Sequence, residues 1–170
     1  MPLDNFIKEL IAATPNRRVE GKKRLQKLVF LLDDAGFDSG ATFFLKDYGP
    51  FSREVENAAD MMSIFGEILE KNVTTGYSNY IATAYALPEG ETVYPDDNLR
   101  SIVEFLEKFR SVELEVASTI RFFENEGLSF TDAVAATKEI KPSKSTNRVL
   151  DSAKQVLNYI SDKNVSASHT

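Results

Sequence analysis

The chain has 170 residues, of which 42% are hydrophobic and 27% are charged, a composition typical of one globular domain with a buried core. Its formal net charge of −6 argues against general affinity for nucleic acid or anionic membranes, since both attract basic surfaces. The absence of cysteine excludes disulfides, thiolate metal sites and a cysteine nucleophile. No segment approaches the ~20 apolar residues of a membrane span, and the first ten residues lack a signal-peptide core, so we expect a cytoplasmic protein.

Two helices are predicted at the start of the chain, where apolar residues recur at helical spacing. The first covers residues 3–13 and ends before Pro15, because the proline ring disfavours helix in the preceding residue. Residues 16–20 are expected to form a polar loop. The second covers residues 21–36, with Gly36 as a left-handed C-cap. Its apolar face consists of Leu25, Leu28, Val29 and Leu32.

A strand, a turn and a third helix are predicted next. Residues 42–45 have the composition of a strand and precede a Gly49-Pro50 turn. Ser52 is then placed as the N-cap of a helix that closes at Gly66. The apolar face of this helix comprises Val55, Ala58, Ala59, Met62 and Phe65.

The hydrophobic period changes after residue 67 and becomes typical of a β-hairpin. Its strands are predicted at residues 68–73 and 77–87, joined by a Thr-Thr-Gly turn. One face of the second strand comprises Tyr77, Ile81, Tyr85 and Leu87. Three helices followed by a hairpin is the order of a winged-helix module.

Four further helices are predicted in the remainder of the chain. Their N-terminal signals are Asp96 or Asp97, Ser111, Ser129 with Asp132, and the residues after the Lys141-Pro142 break, while Gly127 ends the second of them. The first and last apolar faces comprise Leu99, Ile102, Val103, Leu106 and Phe109, and Val149, Ala153, Val156, Leu157 and Ile160. We therefore predict a mainly α fold with a small β-hairpin, in which a winged-helix-like part (1–87) packs against a helical part (96–162). Residues 1–163 would form one domain, and 164–170 a flexible tail.

The basic run between residues 17 and 27 is the first candidate for function. Six cations against Glu20 give this segment a charge of +5, which leaves −11 for the rest of the chain. Cations at a helix N-terminus cost a few tenths to about 1 kcal/mol each unless an anion offsets them. The run therefore indicates either a site for an anion or acidic partner, or long cations that cover apolar surface and pair with the acidic remainder. Its cations are Arg17, Arg18, Lys22, Lys23, Arg24 and Lys27.

The second candidate is the YGPFS segment, residues 48–52. A rigid Gly-Pro turn would present the phenol of Tyr48, and Ser52 with Arg53 would place a hydroxyl and a cation at a helix start. Turn geometry, capping and packing of Tyr48 explain the same residues without a ligand.

We expect no enzymatic activity, no metal and no cofactor. The only histidine, His169, falls in the predicted tail, and the chain lacks a Ser/His/Asp order, metal-ligand spacing and a glycine-rich phosphate loop. Adjacent carboxylates such as Asp33-Asp34 point in different directions on a helix, so they do not share a proton. Asp96-Asp97 suits a helix N-terminus, whereas Asp33-Asp34 lies at the wrong end for the dipole.

Short motifs in a fixed order resemble a known family. GKKRLQKLVFLL, YGPFS and FGEI are followed by LEVASTIRFFENEG and a later KP, and together they span about residues 21–142. This pattern is similar to the YwgA-like proteins and the broader Panacea group, which includes SocA-like antitoxin domains. The resemblance implies a small, mainly helical, non-enzymatic cytoplasmic protein of prokaryotic or phage type, such as an antitoxin or a proteolytic adaptor. Phe51 stands where the family usually has tyrosine, and the shared positions are Lys23, Leu25, Gln26, Lys27, Tyr48, Gly49, Pro50 and Ser52.

Two functions of different class follow from these observations. In the first, the chain is an adaptor or antitoxin-like regulator that binds an acidic protein partner, such as a toxin or a protease system. In the second, it is a winged-helix DNA-binding regulator, although the third helix would expose Glu54, Glu56 and Asp60 to the phosphates. A nucleotide-like anion at residues 22–24 is a third possibility. The predicted binding residues are Arg18, Lys22, Lys23, Gln26, Lys27, Tyr48, Ser52 and Arg53.

Overall fold

The computed structural model describes residues 2–74 and 81–164, and these residues form a mixed α and β fold with small antiparallel sheets. The helices within these ranges are α1 (Leu3–Ala13), α2 (Lys22–Asp34), α3 (Arg53–Ile64), α4 (Asp97–Leu106), α5 (Ser111–Asn125), α6 (Phe130–Ile140) and α7 (Asn147–Asp162). The strands are β1 (Arg18–Glu20), β2 (Phe44–Lys46), β3 (Gly49–Phe51), β4 (Leu69–Thr74) and β5 (Ile81–Ala86). The prediction of a mainly helical chain with a hairpin is confirmed in this coarse form.

The larger sheet has three antiparallel strands in the order β1-β5-β4. Its β4–β5 hairpin confirms the predicted one, while Tyr77 and the end of the predicted turn lie outside the described residues. The prediction of a polar loop at residues 16–20 is wrong, because β1 pairs with β5 and buries Val19 against Tyr85. Ile81, predicted on the same strand face as Tyr85, is 62% exposed, whereas Tyr85 is 2% exposed. A three-residue strand is too short for its alternation to be recognised from sequence.

The second sheet is the β2–β3 hairpin, in which Lys46 pairs with Gly49. The predicted turn is misplaced: residues 47–48 form the turn, and the Gly-Pro dipeptide begins β3. Gly49 has φ = 100°, a left-handed conformation that an L side chain rarely adopts. The glycine therefore closes the turn and starts the returning strand.

The predicted helix boundaries follow from capping. The hydroxyl of Ser52 accepts a hydrogen bond from the Val55 N–H at the start of α3. Gly36 and Gly66, with φ = 99° and 74°, follow the ends of α2 and α3 as expected. Phe65, by contrast, is 72% exposed, because it lies beyond the last residue of α3, where the chain leaves the helical period.

The C-terminal helices also begin at side-chain caps. Asp96, Ser129 and Thr146 each accept a hydrogen bond from a backbone N–H in the first turn of α4, α6 and α7. Asn164, predicted to begin the tail, donates a hydrogen bond to the Asp34 carbonyl oxygen, while residues 165–170 lie outside the described part of the chain.

The core is a single hydrophobic cluster that draws residues from both predicted parts of the chain. Helix α2 lies near its centre and contacts α3, α4, α5, α7, β1 and β3. The predicted stripe of α2 is confirmed as buried: Leu25, Leu28, Val29 and Leu32 are each at most 2% exposed. Among the helices described, none combines the length and the apolar character needed to cross a bilayer.

Candidate functional site

The N-terminal end of α2, the β2–β3 hairpin, α3 and β5 enclose a cavity of about 280 Å³. The side chains that form its apolar walls are Leu25, Pro50, Phe51, Ala59 and Tyr85. Its volume lies just below the range of typical small-ligand sites, so it is suited to one large side chain or a small ligand. The two sequence segments singled out for function thus meet at this cavity.

Three lysines lie at the cavity, and two of them contact aromatic rings. The Lys23 Nζ lies 3.1 Å from the Tyr48 ring centroid, and the Lys46 Nζ lies 4.2 Å from the Phe51 ring centroid. Lys22 is exposed, and within residues 2–74 and 81–164 neither Lys22 nor Lys23 forms an ion pair. The carboxylates at the cavity are those of Asp47 and Glu56. The ammonium groups exceed the carboxylates by one, so the cavity is locally positive in an acidic protein.

Gln26 and Ser52 hold α2 against the start of α3. The Gln26 amide donates to the Ser52 carbonyl oxygen at 2.9 Å and accepts from the Ser52 N–H at 2.8 Å. Ser52, a predicted binding residue, is completely buried, and its hydroxyl caps α3. Gln26 is 7% exposed and lines the cavity, and its side-chain amide links α2 to the start of α3.

Lys27, also predicted to bind a partner or an anion, is 3% exposed and faces the interior, so it is not part of an exposed docking surface. Burial is the main reason that the pKa of Lys27 falls to about 8, and the nearby carboxylate of Glu115 on α5 opposes that fall. Glu115 itself is 3% exposed. Among the cations of the basic run, all within the described residues, Lys27 is the one that is buried, while Arg17, Lys22 and Lys23 are exposed and Arg18 and Arg24 are half-buried.

Glu115 binds two other lysines. Its carboxylate accepts hydrogen bonds from the Nζ atoms of Lys141 at 3.0 Å and Lys144 at 2.9 Å. Burial alone would raise the pKa of Glu115, but the hydrogen bonds from Lys144 and Lys141 hold it below its ordinary value. The Lys141 ammonium also donates to the Asp47 carbonyl oxygen at 2.8 Å, which fastens the β2–β3 hairpin to α5.

The remaining predicted residues are separated from the cavity. Arg18 pairs with Glu20 at 2.7 Å, and Arg24 pairs with Glu107 at 2.9 Å, so both line a different, polar depression. Arg53 is exposed and lies 5.5 Å from the Phe44 ring centroid. The structure therefore brings together Lys22, Lys23, Gln26 and Tyr48 at the cavity and leaves the other predicted contacts elsewhere.

Substitution of Gly49 measures how closely the β2–β3 hairpin packs against α5. A Cβ at this position would lie 3.1 Å from Thr119 Oγ1, in addition to the strain of its positive φ. Gly49→Ala is expected to lower the free energy of unfolding by about 1 to 3 kcal/mol. Gly40→Ala is the matched control, since Gly40 has φ = 77° and open space around it. Equal losses in denaturant melts of the two variants would show that the hairpin moves away from α5 at no cost.

Several residues at the site were not predicted from the sequence, namely Lys46, Tyr85, Glu115, Lys141 and Lys144. Lys141 and Lys144 lie more than 90 residues from the hairpin, and no local pattern links such distant positions. A comparison of the chain with protein-family models, with curated proteins and with solved structures finds no match.

Proposed function

We propose that this protein is a non-enzymatic, cytoplasmic adaptor or antitoxin-like regulator of the YwgA/Panacea type. It binds an acidic segment of a protein partner at the cavity between α2, α3 and the β2–β3 hairpin. The observation that carries the proposal is an apolar cavity of about 280 Å³ with the ammonium groups of Lys22, Lys23 and Lys46 around it. The motif resemblance described above supports the same class of protein.

The cavity favours a specific partner chemistry. Its volume suits one large apolar side chain, such as phenylalanine or leucine, and its lysines favour carboxylates on the neighbouring residues of the same segment. Tyr48 is 48% exposed beside Lys23, so an aromatic edge and a cation are available at the surface. The partner segment would therefore carry an apolar anchor flanked by Asp or Glu.

DNA binding by a winged helix is the second candidate. The strand order β1-β5-β4, with α3 directly before the hairpin, supports a winged-helix-like arrangement of residues 1–87. In such a module α3 would face the DNA, but it exposes Glu54 and Glu56 and only one cation, Arg53. Three exposed apolar side chains, Met61, Ile64 and Phe65, lie in its last turn and just beyond it. Carboxylates and apolar side chains at this position favour a protein contact over duplex DNA.

The adaptor proposal predicts that Lys22→Glu/Lys23→Glu slows partner association about tenfold. The partner is first recovered from native lysate with the immobilised chain, and association is then measured by surface plasmon resonance. Raising ionic strength from low to physiological values should slow the on-rate of the native chain more than it speeds the off-rate. The melting temperature should change little, because exposed charges contribute little to folding.

Two further variants sharpen this experiment. Lys138→Glu/Lys154→Glu makes the same charge change on exposed positions of α6 and α7 and should leave association nearly unchanged. Ala59→Leu would fill the cavity, so it should weaken binding without altering the salt dependence. Equal effects of the two charge-reversal pairs would contradict docking at the cavity.

The DNA-binding alternative has a different signature. Its log affinity should fall linearly with log salt concentration by roughly 0.9 per phosphate contact. Substitution of Arg53 should then matter as much as substitution of Lys22 and Lys23. Sub-micromolar, sequence-dependent binding of duplex DNA at physiological salt would contradict the adaptor proposal and support a DNA-binding regulator.

A further inference from the structure

Lys27 is a buried cation without a direct partner. Its side chain is 3% exposed, yet its Nζ forms neither a hydrogen bond nor an ion pair within the described part of the chain. Glu115 acts on it only at longer range, because both oxygens of that carboxylate already bind Lys141 and Lys144. The Nζ atom itself is not among the fully buried polar atoms, so it is open to a ligand, and a bound anion would offset the cost of burying most of this side chain.

The surroundings of Lys27 carry an excess of positive charge. Lys23 lies one turn before it on the same face of α2, and Lys144 approaches from the loop between α6 and α7. Arg24 also acts on Lys27, but Glu107 neutralises it through an ion pair. Glu115 interacts with Lys27, Lys141 and Lys144, while Lys23 acts on Lys27. These four ammonium groups against the carboxylate of Glu115 give the cluster a net charge of +3, and the carboxylates of Asp47 and Glu56 lie at the neighbouring cavity.

Tyr48 connects this lysine cluster to the surface. Its ring centroid lies 3.1 Å from the Lys23 Nζ and 5.1 Å from the Lys144 Nζ, so both ammonium groups flank one half-exposed phenol. The same ring lines the apolar cavity. An anion that reaches Lys27 from this side would be bordered by cations from two elements and by an aromatic wall.

We propose that Lys23, Lys27 and Lys144 form a binding site for the phosphoryl group of a small ligand. A phosphoryl dianion has three acceptor oxygens for three ammonium groups and would reduce the excess charge from +3 to +1. A monocarboxylate has fewer acceptors and would leave more of the charge uncompensated. Free phosphate and an organic phosphate ester share this chemistry. The inference goes beyond the adaptor proposal, since Lys27 does not line the cavity that would hold the partner segment.

The test is a titration of the purified chain with inorganic phosphate, at constant ionic strength maintained with chloride. Nuclear magnetic resonance of the lysine side chains should show saturable shifts at Lys27 and Lys144. Acetate should bind at least about tenfold more weakly than phosphate. Adenosine monophosphate distinguishes the two sources: tighter binding than phosphate indicates an organic ester whose body enters the cavity, and equal binding indicates free phosphate.

Three variants keep the test decisive. Lys27→Met removes the central ammonium while keeping an apolar stem, so it should fold and should weaken phosphate binding at least tenfold. Lys144→Gln should weaken phosphate binding while the protein stays folded, because Lys144 is only half-buried. Lys154→Gln, at an exposed position on α7, is the control and should leave phosphate binding unchanged. Non-saturable shifts, equal binding of acetate, or unchanged affinity in Lys27→Met would each overturn the proposal. Because no protein partner is present in these titrations, the results are independent of whether a partner segment binds at the cavity.

Discussion

Glu115→Gln is expected to lower the free energy of unfolding by about 3 to 5 kcal/mol, because it removes one partner of a buried ion pair. The carboxylate is 3% exposed and is the direct partner of Lys141, which is itself 6% exposed. The neutral amide would leave Lys141 and Lys27 as buried cations without a compensating negative charge. Urea melts at neutral pH measure the loss.

The control for this substitution is Glu139→Gln, which removes a carboxylate from an exposed position on α6 and should change stability by less than about 0.5 kcal/mol. Adding Lys27→Met to Glu115→Gln should recover part of the loss, since one of the orphaned charges is then absent. A loss below about 1 kcal/mol for Glu115→Gln would mean that the lysine cluster rearranges into solvent.

The pH dependence of this network has a definite sign. The pKa of Glu115 is lower in the folded chain than its ordinary value of 4.5, so the unfolded chain binds the proton more readily. The stabilisation is therefore present above the ordinary pKa and is lost as pH falls through the folded pKa. Melts of the native chain at decreasing pH should show this loss, and Glu115→Gln should lack that component.

Leu28→Ala is expected to destabilise the protein by about 2 to 5 kcal/mol, through lost burial and the cavity that remains. Leu28 is completely buried on α2, the helix that contacts four other helices and two strands near the centre of the core. Gln155→Ala, an exposed position on α7, is the control and should lie within about 0.5 kcal/mol of the native chain. A loss below about 1 kcal/mol in denaturant melts would contradict the central position of α2.

Local signals were sufficient for most helices of this chain. Helix periodicity and capping depend on residues within four positions of one another, so the stripe of α2 and the N-caps Ser52, Asp96 and Ser129 were predictable. The short strand β1 and the exact turn of the β2–β3 hairpin were not, because each depends on a pairing partner rather than on its own pattern.

The candidate site likewise has features that the sequence predicts and features that only the tertiary structure decides. Clustering of cations at the start of α2 is visible in the sequence, and so is a turn near Tyr48, although the sequence placed it at Gly49-Pro50 and it lies at residues 47–48. Which cations face solvent is decided by the tertiary structure, which places Lys22 and Lys23 at the cavity and turns Lys27 inward toward Glu115. Helical spacing assigns residues to a face, but only the packed neighbours determine whether that face is covered.

Asp33 and Asp34 show why tertiary contacts could not be predicted from local sequence. Their position opposes the helix dipole and has no local explanation, yet Asp33 accepts hydrogen bonds from the Ser39 N–H at 2.8 Å and the Ser39 hydroxyl at 2.6 Å. Asp34 lies 3.2 Å from the guanidinium of Arg121 on α5, as an ion pair rather than an aligned hydrogen bond. Sequence patterns determined the helix that ends here, because helix formation is local. Ser39, the partner of Asp33, lies six residues on in the loop that follows the helix, whereas Arg121, the partner of Asp34, lies 87 residues away. Neither pairing falls within the helical period, so only the folded chain could assign it.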